Sequence, residues 1–430
     1  MNMLTRRGFS KLAGLTAGIM LVPTDSQPQD TKTIRLPPSI EQLKSRKSEA
    51  RPITLEERQH RQERARQLMR DHHLDAVFMT GGTSLAYFTN VRWGNSERLF
   101  AAVLLAKGEP FYVCPAFEEE RAREQIATGS GGSNADLRTW QEDDDPYRLV
   151  AAGIRDRGIA SGRIGIEERT NFVFSDGVAK AAPQAAFTSA TPVTAGCRMI
   201  KSAHELELMR LANQVTLEAY EAVYKTLQAG MTQYDFSELI AAAYQKLGFR
   251  GEASVNIAEF SALPHGSIKP QIIREGTIVL IDDGCTVEGY QSDISRTFVL
   301  GKPTDKMRRV FDIVYRAQSA ALKQARPGVE AQSVDAAARK VISDAGYGPD
   351  YTYFTHRVGH GIGMDGHEWP YLVRGDTITL RPAMTFSDEP GIYIRGEFGV
   401  RLEDDMRITE DGAELFTPQS PSIEDPFGKS

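Results

Sequence analysis

Cysteine is scarce in this chain, with Cys114, Cys197 and Cys285 alone in a length of 430 residues. Their wide spacing excludes a C-x-x-C metal or redox motif and a disulfide framework, leaving one bridge at most. No G-x-G-x-x-G follows a strand-like run and no G-x-x-x-x-G-K-[ST] occurs, so a nucleotide is not indicated. Basic excess is also missing. The formal charge is −6, and no basic stripe carries interleaved aromatics, which argues against nucleic acid as the partner. What is present is 41% hydrophobic and 25% charged residues, the balance of a globular protein with an ample core. The length predicts two domains.

Residues 1–23 read as a leader. Paired Arg6 and Arg7 precede a modestly apolar run from Leu12 to Val22, the layout of a twin-arginine export signal. That run is too short for a transmembrane helix, so no membrane span is expected in the mature protein. The expected location is the periplasm of a bacterium. No good A-x-A site precedes Pro23, so tethering by an uncleaved leader is the alternative. Residues 24–53, polar and with Pro28, Pro37 and Pro38, read as a linker or arm.

Thr54 and Glu57 form a capping box that opens a helix to about His72. Strand-like runs at Ala76–Thr80, Ala101–Leu105, Phe111–Cys114 and Arg163–Ile166 alternate with helical patterns, which predicts a small α/β domain over 54–195. A second capping box, Ser202 to Glu205, opens a long helix and a second domain over 196–419. His204 within it reads as a surface residue. Residues 420–430 read as a polar tail.

The second domain carries a diverged internal duplication. Gly230 and Gly248 bracket one helical pattern, and Gly328 and Gly346 bracket another at the same spacing. Each unit then offers a His-Gly pair (His265-Gly266, His360-Gly361) and an apolar strand ending in acid-x-Gly, at Asp282 and Glu389. Each closes on Gly-x-x-x-acid, at Asp293 and Glu403. Two halves related by a pseudo-two-fold bring these four acids to one axis. Four carboxylates cannot stand buried and ionised without cations. Carboxylates with an imidazole suit Mn²⁺, Co²⁺, Fe²⁺ or Zn²⁺, and two ions roughly 3.5–4 Å apart are the usual solution for so many acids. Four of the eight histidines, His265, His356, His360 and His367, fall in this acid-rich half.

Five motifs now stand in order: ALPHG (Ala262–Gly266), IDDG…GYQSDISRTF (Ile281–Phe298), HRVGHGIGMDGHE (His356–Glu368), DEPGIY (Asp388–Tyr393) and GVRLEDD (Gly399–Asp405). Together they resemble the pita-bread-fold metallopeptidases, in the Xaa-Pro aminopeptidase, prolidase and creatinase branch. The resemblance implies an α/β (α+β) fold, with a smaller creatinase-like α/β domain followed by a pseudo-two-fold pita-bread catalytic domain. It implies five metal ligands, Asp282, Asp293, His360, Glu389 and Glu403, holding two divalent ions, with manganese favoured over cobalt, zinc or iron.

By the same resemblance His265 contacts the leaving side of the substrate, and His367 stabilises the oxyanion. His356 lies behind the metal-site histidine, and Arg401 binds a substrate carboxylate or braces the site. Glu389 doubles as proton carrier. Asp388, where an apolar residue is usual, and Asp283, where an aromatic is common, depart from the family pattern. Asp283 is placed outside the site.

The function expected is hydrolysis of the Xaa-Pro bond, of aminopeptidase P or prolidase type, with a metal-bridging hydroxide as nucleophile. The alternative is a non-peptide hydrolase or lyase on the same fold, creatinase-like or dimethylsulfoniopropionate-lyase-like. The partners expected are a peptide or small-molecule substrate and further copies of the chain, as a homodimer or higher homo-oligomer.

Overall fold

Three unbroken apolar strands organise the first half of the chain. In the computed structural model, which describes residues 36–428, β1 (Ala76–Thr80), β2 (Ala101–Leu105) and β3 (Phe111–Pro115) are buried along their whole length. With β4 (Asp136–Trp140), β5 (Arg163–Ile166) and β6 (Ala186–Ser189) they form a six-stranded sheet of order β4-β3-β2-β1-β5-β6. Strands covered on both faces read as continuous apolar runs, which is why the central ones are legible. The edge strands β4 and β6 are largely half-exposed and mixed in character, and were not expected.

Side-chain alternation along β1 divides the core. Val77 and Met79 pack against α2 (Leu55–Asp71), α3 (Thr83–Thr89), α4 (Glu119–Ala127) and α7 (Thr191–Arg198). Ala76 and Phe78 pack against α5 (Pro146–Asp156) and α6 (Phe172–Ala181) on the other face. The short α1 (Pro38–Glu41) precedes them all.

The second half repeats one pattern: two helices, a strand, a hairpin and a returning strand. The first copy is α8 (Ala203–Tyr224), α9 (Gln233–Leu247), β9 (Ile278–Asp282), the hairpin β10 (Cys285–Val287) with β11 (Tyr290–Gln291), and β12 (Arg296–Val299). Short strands β7 (Arg250–Gly251) and β8 (Ser254–Ile257) precede β9. The second copy is α10 (Asp305–Gln324), α11 (Ala331–Asp344), β15 (Thr385–Asp388), the hairpin β16 (Gly391–Ile394) with β17 (Phe398–Arg401), and β18 (Asp404–Ile408). Strands β13 (Gly359–Gly361) and β14 (Glu368–Leu372) are inserted before β15, and β19 (Ala413–Leu415) follows. In both copies the two outer strands pair antiparallel, β9 with β12 and β15 with β18. The bracketing glycines are all left-handed, Gly230 and Gly248 at φ 94 and 92, Gly328 and Gly346 at 86 and 87. Glycine, lacking a Cβ, adopts that conformation without strain.

The stretch from Ile281 to Phe298 carries a hairpin of its own between its two outer strands. Its hairpin turns at Glu288 and Gly289, both left-handed (φ 50 and 94), between the paired residues Val287 and Tyr290. That is the type I′ geometry favoured in two-residue hairpins. The hairpin tip joins the two halves: Tyr290 Oη accepts from Arg61 Nη2 of α2 at 2.6 Å and donates to Glu205 Oε1 of α8 at 2.7 Å, all three residues being buried.

Both capping boxes form. His204 joins them rather than facing solvent, with Nδ1 2.8 Å from Glu57 Oε1 and Nε2 3.1 Å from the Arg51 carbonyl. The arm drawn over 24–53 is, from Pro37 onward, part of one compact unit with the rest of the chain. Ile40 is fully buried, α1 rests on α8 and α9, and Arg46 N–H donates to the Leu247 carbonyl. The tail also packs, with Ile423 buried and Tyr224 Oη donating to the Glu424 carbonyl. The leader, 1–23, lies outside the described residues. Among those described, no helix is long and apolar enough to cross a membrane.

Candidate metal centre

The duplicated strands end on the acids. Asp282 closes β9 and Glu389 follows β15, while Asp293 precedes β12 and Glu403 precedes β18. His360 lies in β13 between glycines that let neighbouring backbone come close; a Cβ on Gly359 would stand 2.0 Å from the Ser387 carbonyl oxygen. Three groups each present donor atoms within 4.8 Å of one another: Asp282, Asp293 and Glu403; His360, Glu389 and Glu403; Asp293, His360 and His367. His360 Nε2 is 3.3 Å from Glu389 Oε1 and 3.8 Å from Asp293 Oδ2. Its Nδ1 is 3.2 Å from the Gly361 carbonyl oxygen, which places the ring proton there and leaves the Nε2 lone pair facing the carboxylates.

A second layer orients this cluster. Ser295 Oγ is 2.6 Å from Asp282 Oδ1 and 2.7 Å from Glu403 Oε2, and accepts from Arg401 Nε at 2.8 Å. Arg401 also donates to Asp282, to Tyr393 Oη at 3.0 Å and to the Pro264 carbonyl at 3.2 Å. Its guanidinium is thus engaged on all three nitrogens. Of the two roles expected for Arg401, the geometry matches the brace. His356 Nδ1 donates to the Arg357 carbonyl at 2.8 Å, so Nε2 accepts from Tyr393 Oη at 2.7 Å. This fixes a neutral ring behind the site.

Electrostatics sharpen the picture. Burial pushes the Glu389 carboxyl up to about 8, with Asp282 adding to the effect against the pull of Arg401. Burial and then neighbouring carboxylates hold Asp293 and Glu403 well above the usual range. Burial acts on Asp282 too, but Arg401 beside it outweighs that and holds it low. Burial takes His356 and His360 down to about 3, so both are neutral. Four carboxylates, buried at Glu403 and half-buried at Asp282, Asp293 and Glu389, therefore share a cavity with two guanidinium groups, of which Arg401 is bound chiefly to Asp282. The oxygen-rich set with one oriented imidazole fits divalent cations of the hard to borderline class.

All nine residues singled out in the sequence (His265, Asp282, Asp293, His356, His360, His367, Glu389, Arg401 and Glu403) line one cavity of about 220 Å³. Besides Pro264, two residues that sequence reasoning left out line it as well. Asp283, placed outside the site, faces both this cavity and an adjoining one of about 460 Å³. Its φ of 96 is a conformation side chains rarely adopt, and it turns the chain sharply after Asp282. Alternation along a strand would have turned it away, and β9 ends one residue too early for that rule to apply. Arg357 is the other, its guanidinium 4.2 Å over the Tyr371 ring. Its position between the two histidines of HRVGH was the available signal. Asp388 does not line the cavity; it is fully buried with neither carboxyl oxygen hydrogen-bonded, and nothing in the structure explains it.

Comparison with known proteins agrees with this geometry. Residues 207–410 match the model of metallopeptidase family M24, and residues 61–200 match that of the creatinase/prolidase N-terminal domain. The chain is 32% identical over 363 residues to the Xaa-Pro dipeptidase of Lactobacillus delbrueckii subsp. lactis, covering 83% of this chain and 96% of that one. It is 36% identical over 346 residues to a probable dipeptidase PepE of Mycobacterium tuberculosis, covering 80% and 90%. Among solved structures, dipeptidase PepE from Mycobacterium ulcerans superposes with a TM-score of 0.81 at 32% identity, covering 87% of this chain and 99% of that one. The chain belongs to metallopeptidase family M24, the metal-dependent peptidases, and carries the creatinase/prolidase type of N-terminal domain.

Proposed function

We propose that this protein is a dinuclear metal-dependent peptidase that cleaves the bond preceding proline, of the Xaa-Pro dipeptidase type. The observation that carries the reading is the convergence of five donors, three flanking histidines and two arginines on one small cavity. The proline specificity rests on the relatives named Xaa-Pro dipeptidase.

On this reading Asp282, Asp293, His360, Glu389 and Glu403 hold two divalent ions, manganese being the best match to so many oxygens. When bound, the ions supply Lewis acidity toward the scissile carbonyl and a water nucleophile at neutral pH. Glu389 takes the proton from the attacking water and passes it to the leaving nitrogen. His367 donates to the carbonyl oxygen as it gains charge. His265, at the exposed rim, contacts the leaving side. With Arg401 engaged, Arg357 is the cation left to meet the substrate carboxylate.

The test is to strip the protein of metal, restore Mn²⁺ or Co²⁺, and offer Xaa-Pro dipeptides and longer Xaa-Pro peptides. Metal-dependent release of proline from dipeptides is expected. Turnover of neither class would overturn the reading and favour the non-peptide alternative. Asp293→Asn should abolish metal binding and turnover while circular dichroism stays unchanged; a variant that still turns over would refute the dinuclear assignment. The leader motivates export by the twin-arginine route to the periplasm, and Arg6→Lys with Arg7→Lys should retain the protein in the cytoplasm. A homodimer or higher homo-oligomer is proposed with it, to be checked by analytical ultracentrifugation.

A further inference from the structure

The segment that carries His367 is fastened from outside its own domain. Arg198, the last residue of α7 in the first half, reaches both Asp365 Oδ2 and Glu368 Oε1 at 2.5 Å through Nη2. Its Nε lies 3.2 Å from the same Glu368 oxygen. Arg198 and Glu368 are 6% and 4% exposed, so neither is solvated enough to release the other. Lys201 Nζ, equally buried, stands 3.3 Å from the second Glu368 oxygen. Glu368 in turn accepts the Asp365 N–H at 3.0 Å, which closes the loop on itself. Thr83 and Arg169, also of the first half, add a bond to Asp365 at 2.6 Å and one to the His367 carbonyl at 2.9 Å. A guanidinium is a planar fork that bridges two carboxylates at fixed angles, which an ammonium cannot do.

We propose that Arg198 is a positioning residue for His367, acting through Asp365 and Glu368. The inference rests on reading His367 as the group that meets the substrate carbonyl. The residues lining the cavity all come from the second half, yet the first half acts on it through this contact. It sets the place of one of the groups that works in it. Arg198 ends a helix packed on the first-half sheet, and Glu368 opens β14 far along the second half, so the orientation of His367 depends on the docking of the two halves.

The test combines amide exchange with a double-mutant cycle on the metal-loaded protein. In Arg198→Lys, exchange over 363–368 should accelerate while that over 282–293 is unchanged. Turnover number for an Xaa-Pro dipeptide should fall about tenfold, with KM and metal content little altered. In a His367→Ala background the same substitution should cause no further loss, because its effect runs through that side chain. Unchanged exchange, or a loss that adds in full to that of His367→Ala, would overturn the proposal. Asp365→Asn removes the other end of the same contact, and it carries the same expectations if Arg198→Lys does not fold. Should the native protein cleave no Xaa-Pro peptide, the functional reading falls, and the exchange measurement still decides whether Arg198 holds the loop.

Discussion

The rings of His360 and His367 lie face to face, with centroids 3.9 Å apart and planes 25° apart. The contact puts His367 beside the donor cluster, close enough to share a group with Asp293 and His360. If it acts on the substrate, His367→Ala lowers turnover about 10²-fold, the usual cost of one oxyanion donor, with metal content unchanged. Kinetics and elemental analysis on one preparation check both halves. Loss of metal would make it a ligand instead.

Ser295 has one hydroxyl proton and two carboxylates within reach, with Arg401 Nε filling its acceptor side. It spans the two halves of the duplication, Asp282 from one and Glu403 from the other. Ser295→Ala should weaken metal affinity by roughly 10- to 100-fold, the range seen when a ligand-orienting partner is removed. Competition with a chromogenic chelator measures it. Affinity equal to the native protein's would mean the hydroxyl orients nothing.

Asp335 and Arg339 on α11 hold the histidine segment from behind. Arg339 donates to the carbonyls of Phe354 and His356, and Asp335 Oδ1 accepts the Val358 N–H at 2.9 Å. Both side chains are buried. Arg339→Met strands a buried carboxylate and should cost about 3–5 kcal/mol of stability, read from the urea midpoint. A loss under about 1 kcal/mol would class the pair with surface bridges.

Glu368 predicts how the docked halves respond to acid. Burial acts to raise its carboxyl, but Arg198 and Lys201 outweigh it and hold it down at about 2, against an ordinary 4.5. The unfolded chain binds this proton more readily than the folded one. The stabilisation is therefore complete above about pH 4.5 and fades as the pH falls toward 2. The urea midpoint should drop more steeply with acid in the native protein than in Glu368→Gln. Parallel curves would show that Glu368 contributes nothing to this dependence.

Local signals carried the elements that were legible. The capping boxes at Thr54 and Ser202 depend on residues three apart, and the left-handed glycines at 230, 248, 328 and 346 mark the duplication because no other residue takes their place cheaply. The edge strands β4 and β6 escaped because half-exposed strands lack a continuous apolar run. Asp283 escaped because its orientation follows from a strained φ, and residue type alone did not signal it.

The sequence by itself determined the chemistry: four acids at matching places in a repeat, an imidazole between glycines, and the order of motifs that marks the family. Those are properties of residue type and spacing, which survive being read along a line. The tertiary structure alone decided which group answers to which. It turned Arg401 inward onto Asp282, Ser295 and Tyr393, left Arg357 facing the cavity, and set Arg198 against Glu368 across the two halves. Partner choice among buried charges is settled by long-range packing, since each must find its counter-charge wherever the fold delivers one.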